Sequence, residues 1–101
     1  MLKVVNELRR EIQDERGNGI VLTYNILIED KIDENTNNTI KSYGLKVTKT
    51  DSYIKTEAEI LDVTSDLSFA EDIFKTISNN YVTPITLYDV IEDMIIQKYS
   101  I

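Results

Sequence analysis

Residues 66–99, DLSFAEDIFKTISNNYVTPITLYDVIEDMIIQKY, decide the fold, because they carry two apolar stripes at helical spacing on either side of Tyr81-Val82-Thr83-Pro84. In the second stripe Leu87, Tyr88, Ile91, Met94, Ile95 and Tyr99 recur at three- and four-residue intervals, which gathers them on one side of a helix. Thr83 is placed to accept an early backbone N–H and Pro84 to occupy the first helical position, where its missing donor costs nothing. The pattern therefore predicts a helix over 84–98. In the first stripe Leu67, Ala70, Ile73, Phe74, Ile77 and Tyr81 form another broad apolar face, with Ser68 and Glu71 spaced as a capping box and Asp66 as a competing cap. Asn79 and Asn80 accommodate a left-handed helix end. A short connection and two amphipathic helices make a helical hairpin over 66–99.

Upstream the period changes from helical to two. Ile20, Leu22, Tyr24, Ile26 and Ile28 alternate against Val21, Thr23, Asn25, Leu27 and Glu29, and Arg16-Gly17-Asn18-Gly19 before them is a turn. Leu2, Val4, Leu8 and Ile12 fit the same period, with Asn6 and Arg10 interrupting, so strands over 3–14 and 19–29 form a hairpin. Apolar Val21 and Leu27 on the alternate face place the second strand centrally, with cover on both sides. Residues 29–38, EDKIDENTNN, read as a polar loop. Within it Asp33, Asn35 and Asn37 match the first ligand positions of a calcium loop. Asn38 stands where the loop needs Gly and Gly44 where it needs a bidentate Glu, so the segment reads as a solvated connection. Ile40–Thr50 is a third strand with Tyr43, Leu45 and Val47 on one face, and Gly44 inside it marks a bulge or a close contact. Tyr53–Val63 is a fourth, and the parity switch at Leu61 and Val63 requires a bulge or a strand end near Ile60. The whole is one α+β domain, residues 1–101: an antiparallel four-stranded sheet over 3–63, then a two-helix hairpin on one face.

The composition narrows the chemistry. The 101 residues include no Cys, no His and no Trp. That removes the commonest general base, the commonest transition-metal ligands and the commonest activated nucleophile, so the chain reads as a non-enzyme without cofactor or metal. Asp89, Glu92 and Asp93 share a helix face and could in principle hold a cation, but they read first as a solvated acidic face favoured near a helix N-terminus. The net charge of −7 lies entirely in the second half: residues 1–50 carry eight basic and eight acidic side chains, residues 51–101 three and ten. Such a surface disfavours nucleic acid and anionic membranes and suits a basic protein partner. No signal-peptide pattern or spanning apolar run occurs, and the expected location is cytoplasmic.

Val82-Thr83-Pro84-Ile85-Thr86-Leu87-Tyr88-Asp89-Val90-Ile91-Glu92-Asp93, Leu22-Thr23-Tyr24-Asn25-Ile26-Leu27 and Ser42-Tyr43-Gly44-Leu45-Lys46-Val47 together resemble a family of small uncharacterised clostridial proteins, over nearly the whole chain. In that family the helix start usually reads Val-Ser-Pro-Ile-His-Leu, and Thr86 stands here where His is common. The resemblance implies the order of elements and carries no activity.

By the 3.6-residue period Ile85 and Ile96 project among Asp89, Glu92 and Asp93, away from the buried stripe. Apolar groups rimmed by charge mark interfaces. The leading reading is a small cytoplasmic binding or regulatory protein whose acidic helix face meets a protein partner. A second is a binder of small ligands or nucleotide derivatives, acting like a sponge, with the 29–38 loop as a lid and Tyr24, Tyr43 or Tyr53 as a stacking surface. A third, an acidic mimic of nucleic acid, calls for denser charge than this chain carries. An open sheet edge, or Ile85 and Ile96, leaves room for a homodimer.

Overall fold

The computed structural model describes residues 2–52 and 54–100. Strands β1 (Leu2–Gln13), β2 (Gly19–Ile32), β3 (Thr39–Asp51) and β4 (Ile54–Thr64) precede helices α1 (Leu67–Asn79) and α2 (Leu87–Tyr99). The strands pair antiparallel in chain order, β1-β2-β3-β4. This is the α+β architecture expected, a two-layer slab of 55 × 34 × 17 Å. Tyr53, the expected first residue of the fourth strand, lies outside the described residues.

Alternation puts Leu22, Tyr24 and Ile26 of β2 and Tyr43, Leu45 and Val47 of β3 on one face, all buried. Phe69, Ala70, Ile73, Phe74 and Ile77 of α1 cover them, while α2 adds only Leu87 and Ile91. At roughly 1.5–3 kcal/mol per large side chain buried, α1 supplies the greater part of the helical layer's attachment. The far end of α2 is tied to the start of α1 by side chains: Tyr99 meets Phe69 edge-on with ring centroids 6.4 Å apart, and the Lys98 ammonium lies 4.6 Å from the Phe69 ring centre.

Several local expectations are corrected. In β1 the register slips between Val4 and Asn6, so Val4 opposes Leu27 and Asn6 opposes Ile26. Leu2 and Val4 therefore face away from the helices while Leu8 and Ile12 face them; one extra residue, Val5, reverses the pleat. The polar loop expected over 29–38 shrinks to residues 33–38, because the ladder of β2 and β3 runs on through Asp30↔Lys41 and Ile32↔Thr39. Backbone pairing needs no apolar side chains, and Lys41 reinforces it with Asp30 at 3.5 Å. In α1 the cap is Asp66, whose carboxylate accepts from the Ser68 N–H at 2.9 Å, so Ser68 is not the head of a capping box. The left-handed residue after α1 is Tyr81 (φ 52°), and Asn80 keeps a negative φ. Val82 N–H donates to the Ile77 carbonyl at 3.0 Å, closing a Schellman-type end around Tyr81.

α2 begins later than the Thr-Pro signal predicts. Thr86 N–H donates to the Thr83 carbonyl at 3.2 Å, a single turn, and the first helical bond runs from Val90 N–H to the Thr86 carbonyl. Thr83 and Pro84 thus shape the turn that leads into the helix. Tyr88 and Tyr99, expected in the buried stripe, are exposed, as are Leu67 and Tyr81 of the first stripe.

Two contacts fix the layers to each other. The buried Tyr24 hydroxyl donates to the Val82 carbonyl at 2.9 Å, between the helices. Arg10 of β1 donates through Nε to the Ser78 carbonyl at 3.3 Å and through Nη2 to Asn79 Oδ1 at 3.1 Å, capping the carbonyl end of α1. Its guanidinium lies 5.9 Å from the Tyr81 ring centre.

On the other face, β4 crosses directly over Gly44. A Cβ there would collide with the Ile60 carbonyl oxygen and come within 3.0 Å of Leu61 Cα. The expected bulge near Ile60 is present: Leu45 pairs with Ile60 but Tyr43 with Thr64, and Asp62 takes φ 58°.

Gly44→Ala should cost about 1–3 kcal/mol, because backbone must move to admit the methyl group. Gly19→Ala, where nothing lies within 4 Å, is the matched control in a urea titration. Burial pushes the Tyr24 phenol up to about 12. Its neutral form is favoured by folding, so this share of stability is complete below the ordinary value near 10 and is lost as pH rises toward 12. Tyr24→Phe should cost about 1–3 kcal/mol at neutral pH by leaving the Val82 carbonyl unpaired, and should flatten the decline between pH 10 and 12 in denaturant titrations.

Candidate functional site

α2 offers the surface with the most unexplained apolar exposure. Ile85 is 86% exposed, Tyr88 63% and Ile96 57%. Asp89, Glu92 and Asp93 are exposed between them, three and four residues apart on successive turns. Asp89 lies in the first turn, where the helix dipole favours an anion. None of the three forms an ion pair among the described residues. Several acids of the sheet are paired: Glu11 meets Arg9 at 3.0 Å, Glu57 meets Lys46 at 3.5 Å and Asp62 meets Lys31 at 2.7 Å. The excess acid of the second half is shared, with −3 on residues 51–64, −1 at Asp66 and −3 on the two helices.

Of the five residues singled out from sequence, Asp89, Glu92, Asp93 and Ile96 lie on α2. Ile85 lies in the Thr83–Thr86 turn ahead of it, so its outward placement comes from the turn and not from helical period. Glu92 and Ile96 also line a groove that the pattern did not announce. Its strand wall is Ile60, Asp62 and Val63 of β4; its helix wall is Tyr88, Ile91, Glu92, Ile95 and Ile96; its volume is about 190 Å³. The groove exists because β4 is an edge strand and α2 lies beside it. From sequence Ile96 reads as outward but Tyr88 reads as part of the buried stripe, so the period points away from the groove.

The strand wall is held by the bulge. Asp62 accepts from Ser42 Oγ at 2.6 Å and from the Lys31 ammonium at 2.7 Å. The Lys31 hydrogen bond, then that of Ser42, holds the Asp62 carboxyl below the usual carboxylate range, and the same contact raises Lys31.

Other concavities and clusters carry less. A wider hollow at the β1–β2 hairpin, lined by Glu11, Ile12, Gln13, Gly19, Ile20 and Val21, draws residues from both faces of the sheet. It is the open tip of the hairpin. The turn at 33–38 is closed on itself, with the Asp33 N–H donating to the Asn38 carbonyl at 2.9 Å and the Asp33 carboxylate accepting from the Asn35 N–H at 2.9 Å. Tyr24 is 0% exposed and Tyr43 7%, so neither offers a stacking surface for a small ligand, and Tyr53 lies outside the described residues. Among the described residues no three acidic side chains converge closely enough to hold a metal ion. No helix among them is long and apolar enough to cross a membrane.

The fold and this surface define a small α+β domain whose distinctive feature is an acidic helix studded with exposed apolar groups. The chain belongs to DUF6514, a family of unknown function, whose model matches residues 3–97. No curated protein and no solved structure matches it.

Asp62→Ala should loosen the strand wall: amide exchange at 61–64 should accelerate while the centres of β2 and β3 stay protected. Because the Asp62 carboxyl is depressed in the folded state, its share of stability is complete above the ordinary 3.8 and lost as pH falls through the lower folded value. The exchange difference between variant and wild type should therefore narrow in strong acid.

Proposed function

We propose that this protein is a small non-enzymatic binding or regulatory protein of the cytoplasm that presents the outer face of α2 to a protein partner. The observation that carries the reading is the exposure of Ile85 and Ile96, 86% and 57%, among three carboxylates without ion-pair partners among the described residues. Solitary exposed apolar residues are ordinary on protein surfaces. Two on one acidic face, next to an exposed Tyr88, form the pattern of an apolar centre with a charged rim. The charge sets the partner's chemistry, since a basic or mixed surface gains from meeting these acids and an acidic one is repelled. The same charge argues against a homodimer through α2, which would set two acidic faces against each other.

Affinity capture from the native host's lysate tests this with the wild-type chain and with Asp89→Lys/Glu92→Lys/Asp93→Lys. The expected result is a protein captured by the wild type at low salt, released at high salt and lost, by about an order of magnitude or more, with the variant. A partner held equally by both chains would overturn the reading.

A further inference from the structure

The geometry points to a specific occupant for the groove between β4 and α2: an amphipathic helical segment of a basic partner, seating one large apolar side chain between Ile60 and Val63 on one wall and Ile91 and Ile95 on the other. This deepens the proposed function and rests on it. Three observations select this occupant. The first is size. At about 190 Å³ the groove is smaller than the pockets of roughly 300–1,000 Å³ that enclose small-molecule ligands, and it suits a protruding side chain.

The second is the backbone of the strand wall. An edge strand ordinarily invites another strand, because its outward N–H and C=O groups are unpaired. Here the wall coincides with the bulge: the register breaks between Ile60 and Thr64, and Asp62 is left-handed. A strand laid along this edge would lose its ladder at the groove, whereas a helix needs no backbone partners from the protein.

The third is charge. Glu92 stands on the helix wall, with Asp89 one turn before it and Asp93 beside it, all exposed. Lys or Arg flanking the inserted side chain would meet these carboxylates. A second copy of this chain offers no such basic helix, since α2 carries Asp89, Glu92 and Asp93 against the single Lys98, which lies 3.9 Å from Asp66. Tyr88 and Ile96 line the opening, and the segment would cover their exposed sides.

The test is a selection from a phage-displayed library of random peptides on the immobilised full-length protein. Selected peptides are then titrated against wild type, against the doubly substituted Tyr88→Ser/Ile96→Ser chain and against Asp89→Lys/Glu92→Lys/Asp93→Lys. Tyr88 and Ile96 are exposed, so the serine variant should keep the wild-type melting curve. The expected result is peptides rich in Lys and Arg with Leu, Met, Phe or Trp at three- and four-residue spacing. Their affinity should fall about tenfold or more with both variants. Basic peptides that respond to charge reversal but not to Tyr88→Ser/Ile96→Ser would overturn the groove while leaving the acidic face intact. Peptides unaffected by charge reversal, or no selected binder, would overturn both. Extended peptides without helical spacing, or a dimer in sedimentation abolished by Tyr88→Ser/Ile96→Ser, would replace this occupant with a strand or a second copy.

Discussion

The hydrogen bond from the Tyr24 hydroxyl to the Val82 carbonyl is the buried polar contact on which the arrangement of the two layers depends. Hydrophobic burial is non-directional: it requires the apolar face of β2 and β3 to be covered but does not say where along the sheet the helices lie. A buried carbonyl without a donor is costly, so only a placement that brings Val82 over Tyr24 satisfies it. Val82 also donates its N–H to Ile77. One residue thereby fixes the end of α1, the start of the connection and the position of both over the central strand.

Arg10 makes this arrangement tolerable at Tyr81. A tyrosine in the left-handed region is strained by roughly 1 kcal/mol relative to Gly, and the expected Asn residues are not used there. Arg10 reaches from β1 to the Ser78 carbonyl and the Asn79 side chain and lies beside the Tyr81 ring, so charge, dipole and ring act on the same turn. The helical end, the central strand and an edge strand are thus coupled at one place. α2 follows with only Leu87 and Ile91 fully in the core, which leaves much of its surface outside the layer it belongs to.

How far the sequence can be read follows from which features are local. Strands β2 and β3 were legible because their side chains alternate through long half-buried runs, and Gly44 was legible as a bulge or a close contact, of which the approach of the Ile60 and Leu61 backbone is the one found. The reversal at Val5 was not, since Leu2, Val4, Leu8 and Ile12 keep one parity and only the pairing with Leu27 and Ile26 reveals the slip. The Thr83-Pro84 signal marked the right place but the wrong element, because a turn and a helix start use the same residues there. At the candidate site, the acids and Ile96 were legible as an outward face. Ile85 was outward for a different reason, and Tyr88 was misread because a three- and four-residue stripe is wider than the part of α2 that meets α1. The groove depends on where β4 ends beside α2, a relation between segments about thirty residues apart that no local period encodes.

The simple strand order carries a further consequence for biosynthesis. Every strand pairs with its neighbour in the chain, so the sheet is fully specified once Thr64 has been made, yet its cover comes from 67–99. At roughly 5–20 residues per second, synthesis of the cover occupies a few seconds. Until that cover docks, the sheet has no layer over Leu22, Tyr24, Ile26, Leu45 and Val47, and the outer edges of β1 and β4 have no strand beside them. The charges along those strands, Lys3, Glu7, Arg9 and Glu11 on one and Lys55, Glu57 and Glu59 on the other, disfavour pairing with other sheets before the cover docks.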